Sequence, residues 1–294
     1  MSFSSSKLLV TGAGGQLGRA IVESLLASGA TDVVAATRDP AKLADLAARG
    51  VTVRKADFDD PASLPAAFAG VERVLLVSTD ALGQPGQRVA QHRAAIEAAV
   101  AAGVKHIAYT SAPSPRPQPN GGVLDDHFWT EAAIFASGVD FTILRHHLYA
   151  ETILMGASQA VASGQMFSAT AGRGRSYVTR DDCAAADAAA LLTATGRQIL
   201  DVTGPEAVTQ DALAALLSEV SGKPVVHVAL TPEQLAGGLT AAGLPPFVAG
   251  LLVDFDVQAS EGHHAILTPV VKGLTGRDPA TVRAFLKAHA AALG

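Results

Sequence analysis

Residues 8–18 read Leu-Leu-Val-Thr-Gly-Ala-Gly-Gly-Gln-Leu-Gly and run straight into Arg-Ala-Ile-Val-Glu-Ser-Leu-Leu-Ala-Ser-Gly at 19–29. An apolar β-type run breaks into glycines and then opens into an amphipathic helical stretch. Gly12, Gly15 and Gly18 stand at TGxxGxxG spacing behind Thr11, and Gly12 with Gly14 gives a second, GxG reading. Without Cβ atoms the backbone turns tightly, approaches a ligand closely and lets the next helix pack hard against its sheet. That helix then aims unpaired N–H groups and the positive end of its dipole at the space over the turn, which suits a pyrophosphate. Glycine-rich turns occur in many loops, but here strand, turn and helix stand in the order that dinucleotide binding demands. Thr11, Gly12, Gly14, Gly15, Gln16, Leu17 and Gly18 are therefore read as the cofactor turn.

Outward from this turn the alternation continues. Short apolar or β-branched runs at 7–11, 32–37, 51–55, 71–78, 106–111 and 141–145 are predicted strands, with helical stretches at 20–27, 41–48, 88–102 and 126–136. Six strands separated by helices predict right-handed crossovers and a Rossmann-type doubly wound parallel sheet. Ligands of such sheets lie over the strand C-termini, so contacts are expected in the segments just after each strand.

Those segments carry suitable chemistry. After the second run comes Thr37-Arg38-Asp39-Pro40, where an NAD-specific chain often ends its strand in an acid. The Arg38 guanidinium suits a 2′-phosphate and an adenine face, with Lys42 as helper, so NADPH is the expected cofactor; Asp39 keeps NADH possible. Asp57 and Phe58, after the third run, are expected at adenine, and Ser78 and Thr79, after the fourth, at the nicotinamide ribose. Ser111 ends the fifth and is counted with the cofactor residues. The proline-rich stretch 112–122 that follows is expected to form a lid or substrate wall, including Pro113. Asp125 is read as the N-cap of the next helix, with His127 and Trp129 near the substrate.

The chain has 294 residues, 49% of them hydrophobic and 17% charged, with a net charge of -5, enough for one large α/β domain or a domain and a smaller lobe. Nothing in this balance favours nucleic acid or an anionic membrane surface. A single cysteine, Cys183, excludes an internal disulfide or a cysteine metal cage and fits a reducing compartment. It is read as a small buried residue. No uncharged apolar run approaches bilayer length and Met-Ser-Phe-Ser-Ser-Ser-Lys lacks a signal-peptide core, so a cytoplasmic protein is expected. His263-His264 has no partner at metal-ligand spacing, and no metal is expected.

One pair of residues is missing. Short-chain alcohol dehydrogenases use a Tyr followed four residues later by a Lys that lowers the phenol pKa, whereas Tyr109, Tyr149 and Tyr177 are followed by Pro113, Ile153 and Asp181. A substrate whose reduced form needs no strong protein acid, such as a quinone or an extended aromatic cation, fits better. His146, His147 and Tyr149, after the sixth run, are the candidate proton donors or substrate orienters, with at most one of the adjacent histidines facing a pocket. Farther on, Phe247, Leu251 and Phe255 share one face of an apolar helix, read chiefly as core, with Phe247 also a candidate substrate contact.

The glycine pattern, the stretch 37–64, the block 91–111, the run 125–145 and the later 200–225 together resemble the NmrA-like atypical short-chain dehydrogenases, above all their NADPH:quinone oxidoreductase type 2 and triphenylmethane reductase branch. The resemblance spans nearly the whole chain. It implies a Rossmann domain over about residues 1–147 and a smaller C-terminal α/β substrate lobe over 148–294, some of whose segments return to the first domain. It also implies NADPH as hydride donor and a flat aromatic acceptor, without metal or flavin. Two departures bear on the acceptor: Ala132 stands where a quinone reductase of this type carries lysine, and Arg145-His146-His147-Leu148-Tyr149 replaces an asparagine-containing stretch. Three readings stay open on the residues: a quinone-type reductase, an oxygen-dependent hydroxylase of polycyclic aromatics, and a non-catalytic NAD(P)-binding redox sensor. A homodimer is compatible with each.

Overall fold

The computed structural model describes residues 6–118 and 121–294. The chain forms two compact units: the first runs through to His146 and regains Arg180–Val202 and Val270–Gly276; the second holds His147–Thr179, Thr203–Pro269 and Arg277–Gly294.

In chain order the first unit opens with β1 (Leu8–Val10), α1 (Gln16–Ala27), β2 (Val33–Thr37), α2 (Ala44–Ala48), β3 (Thr52–Lys55), α3 (Leu64–Phe68) and β4 (Arg73–Leu76). It continues through α4 (Gln87–Ala101), β5 (His106–Ser111), α5 (Val123–Ala136) and β6 (Asp140–His146). The second unit contributes α6 (Glu151–Ser163) and β7 (Gln165–Ser168), after which α7 (Arg180–Thr193) and β8 (Arg197–Val202) return to the first. Then follow α8 (Gln210–Ser221), β9 (Val226–Ala229), α9 (Pro232–Ala241), α10 (Pro246–Ser260), α11 (Val270–Thr275) and α12 (Val282–Ala288), of which α11 belongs to the first unit.

The first unit is built on a seven-stranded parallel sheet in the order β3-β2-β1-β4-β5-β6-β8, the Rossmann-type doubly wound arrangement. β1 pairs with β2 on one side and β4 on the other, so the strand order reverses there and a crevice opens over the strand ends. Leu9, Val34, Val74, Ile107 and Ile143 form one buried face, covered by Phe68, Ile96 and Ile134 from the helices. Burial at this level is worth about 1.5–3 kcal/mol for each large side chain. On the other face α7 packs on α1; its buried Cys183, Ala184, Ala188 and Ala190 are small enough for close approach. Arg73 ties strand to helix, its guanidinium donating to the carbonyls of Leu191 and, at 2.7 Å, Ala194 at the C-terminal end of α7, where a cation suits the dipole.

Three boundaries differ from the sequence reading, each for a local reason. The run 71–78 yields a strand only to Leu76, because the amides of Val77, Ser78 and Thr79 bond side chains instead of a neighbouring strand. α1 begins at Gln16 rather than near residue 20, since glycine in its first turn permits the close start. Asp125 does not cap α5: the helix starts at Val123 behind Gly122 (φ 131°), and the Asp125 carboxylate accepts from the Gln118 amide at 2.9 Å.

In the second unit β7 and β9 form a two-stranded parallel sheet over a core that includes Ile153, Val161, Leu213, Leu217, Phe285 and Leu286. Arg175 and Asp256 form a buried ion pair, and the second Asp256 oxygen accepts from the Ala169 amide at 2.6 Å. This pair turns the Asp256 side of α10 inward with Ala249 and Ala259 and leaves Phe247 61% exposed, so the Phe247–Leu251–Phe255 stripe is not core. His264 is buried, its carbonyl accepting from Ser176, in a turn after α10. Among the described residues no helix is long and apolar enough to cross a membrane, and no His, Cys, Asp or Glu cluster has the makings of a metal site.

Candidate functional site

Over the C-terminal ends of β1, β2, β3 and β4 the first unit holds a cleft of about 580 Å³. Its floor is the glycine turn. Gly12 sits at φ +61°, a Cβ on Gly18 would stand 2.4 Å from the Gly12 carbonyl oxygen, and one on Gly14 would stand 2.7 Å from Thr37 Oγ1. No side chain caps α1 and no acid stands in its first turn, so the N–H groups of Gln16, Leu17 and Gly18 and the positive helix end face a cradle with nothing to compensate them. A pyrophosphate answers both conditions, and the residues present fit a dinucleotide.

At the rim after β2, Arg38 and Lys42 line the cleft and are exposed. Asp39 lines the cleft beside them and is exposed too; its Oδ1 accepts from the Ala41 amide at 3.1 Å and caps the short turn Pro40–Leu43. The one acid at the end of β2 is thus a cap, and the exposed charges beside it are cationic. After β3, Asp57 and Phe58 line the cleft; Asp57 Oδ1 accepts from the Asp59 amide at 3.1 Å, and Phe58 packs partly against the core. Gln87 and Gln91 both donate to Asp59 Oδ1, at 3.1 and 2.9 Å, and hold its carboxyl below the usual range. These three residues line the cleft too. The two glutamines stand one helical turn apart in the sequence, the signal by which they are found.

Ser78 and Thr79 form the wall after β4. Behind them lie Arg88 and His92, which a sequence pattern for an ordinary helix does not reveal: His92 Nε2 accepts from the Thr79 amide at 3.0 Å and Arg88 Nε donates to the Thr79 carbonyl at 2.7 Å.

Other expected residues lie away from this lining. Ser111 is buried and donates to Glu131 Oε1 at 2.7 Å; the same carboxylate pairs with Arg145 through Nε at 3.0 Å and Nη2 at 2.7 Å, which keeps that guanidinium firmly protonated. His127 is buried with both ring nitrogens engaged, Nε2 with Arg88 at 3.0 Å and Nδ1 with the Tyr109 phenol at 2.9 Å, so it offers a substrate no polar atom. Tyr109 is wholly buried, and burial pushes its phenol pKa up, against any role as a proton donor. Pro113 is buried at the start of its loop, whose Pro119 and Asn120 lie outside the described residues. Trp129 is 42% exposed and meets Phe128 edge-on at 5.1 Å.

The adjacent histidines part company. His146 ends the first unit, where its Nε2 bonds Asp187 Oδ1 at 2.8 Å; Asp187 is fully buried and its carboxyl is pushed up by that burial. His147 opens the second unit, with Nδ1 2.9 Å from Ser176 Oγ, and Tyr149 there forms a backbone bridge with Val178.

Comparison with known proteins agrees with this geometry. Residues 12–194 match a family described as NAD(P)H-binding. Quinone oxidoreductase 2 of Escherichia coli is 42% identical over 259 residues, covering 87% of this chain and 88% of its own. A crystal structure of NADPH-dependent quinone oxidoreductase from Escherichia coli complexed with NADPH superposes with a TM-score of 0.89 at 39% identity, over 96% of this chain and 99% of that one. Triphenylmethane reductase of Citrobacter sp., complexed with NADP(H), follows at 0.85 and 31%, over 97% and 99%. Strand order, glycine cradle and these likenesses together make the chain a member of the NAD(P)H-binding family, among the NmrA-like atypical short-chain oxidoreductases.

Proposed function

We propose that the chain is an NADPH-dependent reductase that delivers hydride directly to a quinone or a related planar aromatic acceptor. The observation that carries this reading is the cleft itself: a glycine cradle under an uncapped helix, with Arg38 and Lys42 exposed at the rim and Asp39 engaged as a cap. The relative from Escherichia coli is named for quinones and that from Citrobacter sp. is described with triphenylmethane dyes; a quinone and a triarylmethyl dye cation each carry a conjugated electrophilic system able to accept hydride.

Bound NADPH supplies the hydride. The chain's residues supply position. Gly12, Gly15 and Gly18 with the first amides of α1 hold the pyrophosphate, Arg38 and Lys42 the 2′-phosphate, Asp57 and Phe58 the adenine, and Ser78 and Thr79 the nicotinamide ribose. A quinone becomes a resonance-stabilised phenolate on reduction, so a buried, non-acidic Tyr109 is no obstacle. Orientation then does most of the catalysis, worth about 7–11 kcal/mol at best. Within the first unit, Pro113 and Trp129 are the residues assigned to the acceptor's surroundings. A cytoplasmic setting and a homodimer go with this reading, the second tested by light scattering.

Mixing the NADPH-loaded protein with a panel of benzoquinones and naphthoquinones under argon tests it. The expected result is loss of the reduced nicotinamide absorbance with hydroquinone formed in equal amount; no loss with any member overturns it.

A further inference from the structure

Val77, Ser78 and Thr79 lie beyond the end of β4, yet each of the three successive amides meets a different side chain: Thr11 Oγ1 at 3.0 Å, Thr110 Oγ1 at 2.9 Å and His92 Nε2 at 3.0 Å. The Thr79 carbonyl is held as well, by Arg88 Nε at 2.7 Å. Residues from beside β1, from β5 and from α4 thus clamp one short strip of the cleft wall. Backbone without a neighbouring strand usually turns to water; here its direction is fixed from behind by side chains.

The protonation of the clamp follows from which atoms can donate. An amide donates, so His92 Nε2 accepts and is unprotonated; the neutral ring carries its proton on Nδ1, 2.9 Å from Thr130 Oγ1. The Thr130 hydroxyl donates its own hydrogen bond to the Asp126 carbonyl at 2.7 Å. Arg88 is ordered in the same way, because a guanidinium can only donate: its Nη2 donates to His127 Nε2, and His127 Nδ1–H is left for the Tyr109 oxygen. Burial, reinforced by the Arg88 charge, pushes His92 down to about 3 and His127 well below its ordinary value. Both rings therefore stay neutral acceptors across any working pH.

We propose that His92 is a positioning residue of the reductase: through the Thr79 amide, with Arg88 on the carbonyl of the same residue, it sets the cleft wall that meets the nicotinamide ribose. This rests on the reading of the cleft given above. His92 touches neither cofactor nor acceptor. Its effect is to keep Ser78 and Thr79 from rotating when the cleft is empty, so that NADPH binds a wall already formed.

Native-state hydrogen exchange on the cofactor-free protein, together with NADPH titration and steady-state kinetics, tests this. In the wild type the Thr79 amide is expected to exchange slowly although it lies in no helix or strand. In His92→Leu it is expected to exchange about tenfold faster while Ile107 and Ala108 of β5 keep their protection, and Kd and KM for NADPH rise about tenfold with KM for the quinone unchanged. His92→Gln, whose Oε1 reaches the place of Nε2, is expected to restore both readouts. Should His92→Leu lose the β5 protection, Thr130→Val decides instead: it removes the acceptor that orients the ring and one helical i−4 bond to the Asp126 carbonyl while keeping His92, and faster Thr79 exchange with weaker NADPH binding is expected, unchanged values overturning the proposal. Unchanged Thr79 exchange, or faster exchange with unaltered NADPH affinity, overturns the proposal. If the wild type itself fails to bind NADPH, the functional reading falls, and the Thr79 exchange still reports on the clamp separately.

Discussion

Two strips of the same cleft are built in opposite ways. Val77–Thr79 is half-buried and has every backbone amide fixed by a side chain from another element. Arg38–Lys42 is exposed throughout, and its backbone is held by the Asp39 carboxylate cap and by one exposed guanidinium, Arg19, which donates to the Lys42 carbonyl at 2.9 Å. The difference follows what each strip has to recognise. A ribose and a reactive ring call for fixed atoms, because misplacement of about 1 Å costs rate steeply. A phosphate calls for charge within reach, and long cationic side chains supply it from an exposed rim.

The floor both strips share gives the largest expected effect. Gly18→Ala places a Cβ against the Gly12 carbonyl and should raise the NADPH Kd by about 100-fold or more, or about 3 kcal/mol, read by calorimetry. At the rim, Arg38→Ala should raise Kd for NADPH by about 10- to 100-fold, as expected for a lost charge-assisted contact, and leave NADH within about twofold. An equal loss for both cofactors would assign Arg38 to adenine and not to the phosphate.

The clamp has a pH signature that the rim lacks. His92 and His127 titrate far below the roughly 6.5 of an unfolded histidine, so below that pH the unfolded chain binds more protons than the folded one. Their contribution to stability is complete above about pH 6.5 and falls as pH drops below it, for His92 down to about 3, by up to about 1.4 kcal/mol per pH unit for each ring. Urea unfolding at a series of pH values from 7.5 to 5 should show this decline, and His92→Gln should flatten it by one ring's share. The smallest effect belongs to Asp39→Ala, which should cost about 1 kcal/mol of stability through the lost cap and leave the preference between NADPH and NADH unchanged.

How far the sequence went is clearest at these same places. The glycine turn was legible because its main constraints are local, a positive φ at Gly12 and the approach of Gly15 and Gly18 to the Gly12 carbonyl; the crowding of Gly14 by Thr37 is tertiary. Alternating strands and helices made the sheet legible for the same reason. Arg38, Asp57, Phe58, Ser78 and Thr79 line the cleft because residues just after parallel strands reach one edge of the sheet. His92 and Arg88 were not legible, since what singles them out is a bond to backbone that the chain places 13 and 9 residues earlier, across the sheet edge. His127 looked like a pocket residue at a helix start, and its engagement with Arg88 and Tyr109 is tertiary. The exposure of Phe247 shows the same limit: helical spacing marks an apolar stripe, and the Arg175–Asp256 pair decided which side of α10 turned inward.

The most direct test of the account is the initial rate of NADPH oxidation, and of NADH oxidation, by the wild-type protein with a quinone under argon, with product mass followed in the same vessel. The expected result is fast turnover to the hydroquinone without oxygen and a kcat/KM at least about tenfold higher for NADPH than for NADH. Turnover that requires oxygen and adds a hydroxyl to the product, or tight NADPH binding with no turnover, would contradict it.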